Sequence, residues 1–199
     1  MRAIHPAVVR ITHWVNVVAM VCMVLSGWGI YNASPLFGFT FPRWATLGGW
    51  LGGAIAWHFA VMWLLVANGL LYLVWGLVSG HFRRALLPLS AAAVRDDLRL
   101  AVGLRLPHRL GRYNAVQRLL YWAVLGCGVL VVASGLAIWK PVQLQELTAL
   151  LGGYEAARYV HFAAMAGIVG FTLVHLLLVA IVPRTLPPMI TGRARPEET

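Results

Sequence analysis

Charge is scarce in this sequence. Of its 199 residues only 11% are charged and six are acidic, where a soluble domain carries about a quarter. With 60% hydrophobic residues and a mean hydropathy of +0.77, the chain has too little polar surface to cover a core, so the bilayer is its natural solvent. Cysteine is nearly absent too. Cys22 and Cys127 both fall in apolar segments, and neither belongs to a CxxC or CxxCH pattern. That excludes a thiolate metal site and covalent c-type haem attachment; both read as small apolar filler. The formal charge of +10 would suit a nucleic-acid binder. Here, however, the arginines lie in loops between apolar runs, so topology explains them and no nucleic-acid partner is expected.

A membrane-spanning helix needs about 20 mostly apolar residues. Four segments qualify, at about 11–31, 48–78, 117–139 and 156–182. The second is the longest apolar or small stretch, from Trp44 to Gly80 with only His58 interrupting, and its start is rich in glycine (Gly48, Gly49, Gly52, Gly53). An interfacial lead-in followed by a long or tilted helix is expected there. The fourth span stops at Pro183. The expectation is an all-α integral membrane four-helix bundle forming a single domain over residues 1–199. The loop at 79–116 carries too many charges to cross. Within it Ser90 can start a short helix whose Val94, Leu98 and Val102 share a face, lying on the membrane with Arg95 and Arg99 toward water.

Lysine and arginine placement sets the orientation. Arg2, Arg10, the loop from Arg83 to Arg118, Arg184, Arg193 and Arg195 fall on one side, against Arg43, Lys140 and Arg158 on the other. Both termini and the middle loop are therefore expected in the cytoplasm, and the loops around Leu36 and Leu147 in the periplasm of a bacterial inner membrane. The first span lacks a small-residue cleavage site after its apolar run, unlike a cleaved signal peptide. The arginine-rich loop suits anionic lipid head groups.

Four histidines sit within spans: His13, His58, His161 and His175. Ionisable groups in a membrane are costly and usually mark function; any one alone is equally well read as a hydrogen bond between helices. Their depths argue for more. His161 and His175 are fourteen residues apart, about 21 Å along a helix and about 40° around it, so they share a face near opposite membrane sides. His13 lies level with His175, and His58 more nearly level with His161. Two depth-matched pairs suit planar macrocycles ligated from both faces between facing helices. Zinc would instead want three or four ligands converging on one point. His5, His81 and His108 read as solvated surface residues. At the start of the third span, Asn114 and Gln117 share a face; these amides could meet a quinone carbonyl, or Asn114 could simply cap the helix.

RITHW at Arg10–Trp14, His58 early in the second span, RYNAVQ beginning at Arg112, and the His161/His175 pair carry a resemblance. The chain resembles, over nearly its whole length, the di-haem b-type cytochrome subunits of formate dehydrogenase, nickel–iron hydrogenase and thiosulfate reductase. DDLRLAVGLRLPHRLGRYNAVQR and the tail PRTLPPMITGR are most similar to the branch accompanying periplasmic molybdopterin oxidoreductases. The resemblance implies two non-covalent haem b groups, a cytoplasmic-side one on His13 and His175 and a periplasmic-side one on His58 and His161. It also implies a quinone near the former, by Asn114 with Gly111, Gln117 and the edge of His175. Hydrogenase-type members often carry a longer first loop and more cytoplasmic sequence, which places this chain away from them. Arg10, Arg43, Arg112 and Arg158 are positioned as candidate propionate partners.

The expected function is electron transfer between a quinone pool and a periplasmic redox enzyme, with no catalytic residue assigned. Two alternatives stay open: a stand-alone quinone-reducing cytochrome that oxidises a small periplasmic molecule, and a haem-free transporter or anchor. Against the last stand the lack of intramembrane carboxylates and of an evident inverted repeat.

Overall fold

The computed structural model describes residues 2, 3, 5–87, 89–102 and 113–194. In chain order these form β1 (Arg2–Ala3), α1 (Ala7–Tyr31), α2 (Leu51–Val78), α3 (His81–Ala85), α4 (Ala91–Val102), α5 (Ala115–Trp139), α6 (Gln145–Leu150), α7 (Tyr154–Ile181), α8 (Leu186–Thr191) and β2 (Arg193–Ala194). Among the described residues the protein is all-α apart from one two-residue antiparallel pairing, Arg2 opposite Ala194 and Ala3 opposite Arg193. Helices α1, α2, α5 and α7 are, among the described residues, the four long and apolar enough to cross a membrane. At 25 or 28 residues each they run about 38–42 Å, ample for a hydrocarbon core about 30 Å thick.

Two compact units divide the chain, one of Ile11–Val74 and one of Met1–Arg10 with Trp75–Thr199. No more than 11% of each spanning window is buried, and side chains such as Trp63 and Leu173 stand mostly exposed. In water that surface would be an aggregation site; in a bilayer it is the side that lipid covers. Much of what is buried along the spanning helices is small or polar. In the first unit Ala19, Ser26, Ala54 and Asn68 face inward, and in the second Ser134, Ala137, Ala157 and Ala164 do. Small residues let helices approach closely where no hydrophobic force separates protein from solvent. A β-carbon placed on Gly29 would lie 2.9 Å from that of Ala54, which measures how close the approach is.

The glycines before α2 serve a tight turn. After a 3-10 turn at Arg43–Ala45, Gly48 and Gly49 adopt φ of 108° and 74°, and a β-carbon on Gly48 would meet the Ala54 nitrogen. The lead-in is thus a folded turn, and α2 begins only at Leu51. Helix α4 occupies the stretch after Ser90. Its Asp97 carboxylate accepts from the Ala115 N–H at 2.7 Å, placing negative charge at the N-terminus of α5, where the helix dipole favours it. Past α7, Pro183–Thr185 forms a 3-10 turn into α8. The Arg10 guanidinium donates to the Ile190 carbonyl at 2.6 Å, so the tail returns to the first residues of the chain.

Candidate functional site

His58 and His161 occupy matching places. Each lies seven residues past the first residue of its helix, Leu51 or Tyr154. His58 Nδ1 is 3.0 Å from Ser26 Oγ on α1, and His161 Nδ1 is 3.1 Å from Ser134 Oγ on α5. Both serines are fully buried. Each also donates to the carbonyl four residues earlier, Ser26 to Cys22 at 2.6 Å and Ser134 to Leu130 at 2.5 Å. The next residue is glycine in both helices, and a β-carbon there would stand 3.4 Å from His58 Cε1 or 3.2 Å from His161 Cε1.

His13 and His175 have different surroundings. His13 packs edge-on against Trp14, ring centroids 5.3 Å apart. Its neighbour Thr12 is buried, and the Asn68 amide donates to the Thr12 carbonyl at 2.9 Å and to Asn16 Oδ1 at 2.7 Å. This pair of asparagines ties α2 to α1 beside His13. His175 is exposed and lies parallel to Phe171 one turn earlier, 6.0 Å between centroids.

The donor set fits haem. Among the described residues no group of three or more His, Cys, Asp or Glu side chains converges on a metal-sized point, as a structural zinc would need. Instead the imidazoles are spread over three spanning helices, His13 on α1, His58 on α2, and His161 and His175 fourteen residues apart on α7. Two are held at Nδ1, which leaves Nε2 for coordination. Bare glycine beside each of those rings leaves its edge uncrowded.

Asn114 and Gln117 form a reciprocal cap on α5. The Asn114 side chain accepts from the Gln117 N–H at 2.8 Å, and the Gln117 side chain from the Asn114 N–H at 3.0 Å. Their side-chain oxygens are thereby engaged in starting the helix, while the amide nitrogens are not part of the box. Tyr121 and Tyr113 lie beside them, 4.9 Å between ring centroids. Gly111 and Arg112 fall outside the described residues. Of the other candidate propionate partners, Arg158 pairs with Glu155 at 2.9 Å, Arg10 holds the tail, and Arg43 lines a small cavity with Asn32, Thr46 and Trp50.

His5 and His81 are not independent surface residues. Burial, then the charge of His81 and then Arg10, holds His5 below its ordinary pKa. Burial and then Arg84 do the same to His81, whose ring leans on Trp75 at 5.1 Å. His108 lies outside the described residues. Reasoning from sequence missed the two serines, the Asn16–Asn68 pair and Asp97. A hydroxyl followed by glycine in two spans, and an amide inside an apolar run, were the available signals.

Comparison with known proteins gives a consistent picture. The family described as "Prokaryotic cytochrome b561" matches residues 4–192. The chain is 52% identical over 191 residues to the putative protein-methionine-sulfoxide reductase subunit YedZ1 of Azospira oryzae, covering 96% of each. It is 25% identical over 84 residues to the cytochrome b556(Fdn) subunit of the nitrate-inducible formate dehydrogenase of Escherichia coli K12, 42% of this chain and 38% of that protein. The same protein of Shigella flexneri matches to the same extent.

Proposed function

The chain belongs to the prokaryotic cytochrome b561 family and is a multi-pass membrane electron-transfer protein that binds haem b; we propose that it holds two such haems and moves electrons between a quinone pool and a periplasmic oxidoreductase. His58 and His161 would ligate the periplasmic-side haem, and His13 and His175 the cytoplasmic-side one. Bound there, the haems supply one-electron redox chemistry.

The residues do the rest. Ser26 and Ser134 orient two of the ligands. The Asn68 clamp fixes the helix that carries His13. Quinone would sit near the cytoplasmic end of α5, by Asn114, Gln117 and Gly111, where its carbonyl can accept from an amide N–H while protons are exchanged with the cytoplasm. The two short loops around Leu36 and Leu147 would face the partner. That the relative from Azospira is named a reductase subunit favours electron flow outward, from quinol through the chain to a reductase, and molybdopterin is the cofactor class expected of that partner. The setting is the bacterial inner membrane, with both termini in the cytoplasm.

The observation that carries this reading is the matched pair of imidazoles held at Nδ1 in two spanning helices. Quinol-dependent haem reduction in proteoliposomes tests it. Wild-type protein is expected to be reduced by a quinol, and Asn114→Ser, which keeps a capping oxygen, to need more quinol for the same rate. No reduction by any quinol would overturn the proposal.

A further inference from the structure

The two unit-forming helix pairs carry a direct repeat. Arg10–Trp14 reads RITHW and Arg118–Trp122 reads RLLYW. Ser26-Gly27 recurs as Ser134-Gly135, and Leu47-Gly48-Gly49 as Leu151-Gly152-Gly153. His58-Phe59-Ala60 with Met62 recurs as His161-Phe162-Ala163 with Met165. The structure repeats with the letters. α1 and α5 are both 25 residues long, α2 and α7 both 28, and both glycine pairs have positive φ. The repeat holds at one level and breaks at the other. His58 answers to His161, but Tyr121 stands where His13 does, and Tyr72 where His175 does.

The hydrogen bonds at the conserved level have a defined direction. A hydroxyl has one proton and two lone pairs. In each serine that proton goes to the carbonyl one turn earlier, the usual back-bond of a serine inside a helix. The oxygen therefore accepts, and the imidazole Nδ1–H donates. Each ring is locked as the Nδ1–H tautomer with its Nε2 lone pair directed away from the serine.

We infer that Ser26 and Ser134 are paired positioning residues for the His58/His161 haem, each fixing the tautomer and ring plane of one ligand and setting its electron donation through a neutral hydroxyl acceptor. This rests on the proposed ligation by those two histidines. A partner accepting from Nδ1–H makes an imidazole more basic, and a more basic ligand favours ferric iron. Removing the hydroxyl lowers that donation and raises the potential of this haem. His13 and His175 answer to Tyr121 and Tyr72 in the repeat and lie outside the Ser26–His58 and Ser134–His161 pairings, so the potential of their haem is expected to move far less.

The test is potentiometric titration of the haem-loaded protein in detergent, with low-spin electron paramagnetic resonance of the oxidised form. Ser26→Ala is expected to shift the reduction equilibrium of one haem about tenfold toward the ferrous form, about 59 mV for one electron, and to change one of the two low-spin signals. Ser134→Ala, which removes the matching partner of His161, should shift the same haem in the same direction. Ser26→Cys keeps the side-chain volume with a weak acceptor and should move the potential the same way. Ser26→Thr keeps the hydroxyl and should restore it. Loss of one haem in Ser26→Ala with retention in Ser26→Thr would also support the assignment. Unchanged potentials and signals with both haems bound, or an equal shift of both haems, would overturn it. His58→Ala separates the two claims. One haem lost there with no effect of the serine variants leaves the ligation standing and removes only the serine role, whereas both haems retained removes the ligation and this inference with it.

Discussion

Asn68 offers the sharpest stability prediction. Its amide is buried and donates twice across α1, to the Thr12 carbonyl at 2.9 Å and to Asn16 Oδ1 at 2.7 Å. Interhelical hydrogen bonds in membranes are worth about 0.6 kcal/mol on average and about 1.7 at most. The Thr12 carbonyl lies within a helix, so losing its second donor costs little. Asn16 Oδ1 is the larger loss, because an acceptor stranded in an apolar setting costs about 1–3 kcal/mol. Asn68→Ala is therefore expected to destabilise the protein by about 1–2 kcal/mol. Asn16→Ala added to it should cost little more, since the stranded acceptor is then gone. Reversible unfolding of the haem-loaded protein in mixed micelles, run as a double-mutant cycle, reads a coupling of about 0.5–2 kcal/mol between the two. Strictly additive single mutants would refute the clamp. So would an Asn68→Ala variant as stable as wild type.

Gly48→Ala should fold poorly, because an alanine at φ 108° is strained and its β-carbon would meet the Ala54 nitrogen. Gly49→Ala, at φ 74° with open space around it, should cost only about 1–2 kcal/mol, so a comparison of folded yields checks the turn. Asn114→Ala should lose about 1 kcal/mol through the broken capping box, and Asn114→Ser should recover most of it, read as thermal midpoint. His5 and His81 are both held below their ordinary pKa of 6.5, so the folded form favours their neutral state. Their contribution is present above pH 6.5 and is lost as pH falls through the lowered values. Hydrogen-exchange protection at the β1–β2 pairing, relative to the intrinsic rate at each pH, should fall below that point, and His5→Gln with His81→Gln should flatten the dependence.

The spans and their histidines were legible because both are loud signals. A run of twenty apolar residues has few other readings, and an imidazole within one stands out. The observed helices Ala7–Tyr31, Leu51–Val78, Ala115–Trp139 and Tyr154–Ile181 start and stop within a few residues of the apolar runs. Ser90 marked the start of α4 for the same local reason, and Asn114 its own cap. What stayed hidden was pairwise. A serine among small residues looks like packing filler until the histidine opposite is placed, and Ser26 lies 32 residues from His58. Asn16 and Asn68 are 52 residues apart, and the β1–β2 pairing joins the two ends of the chain through two residues each. Asp97 lies between Arg95 and Arg99 in the sequence, and its role appears only with the α5 N-terminus beside it.

The central claim is that four intramembrane histidines hold two haems. Haem extracted per folded chain, together with the dithionite-reduced minus oxidised spectrum, tests it most directly in wild type, His58→Ala and His175→Ala. The account predicts two non-covalent haems in wild type and the loss of a different one in each variant, with distinct remaining α-bands. A single haem in wild type, or variants that keep both, would contradict it.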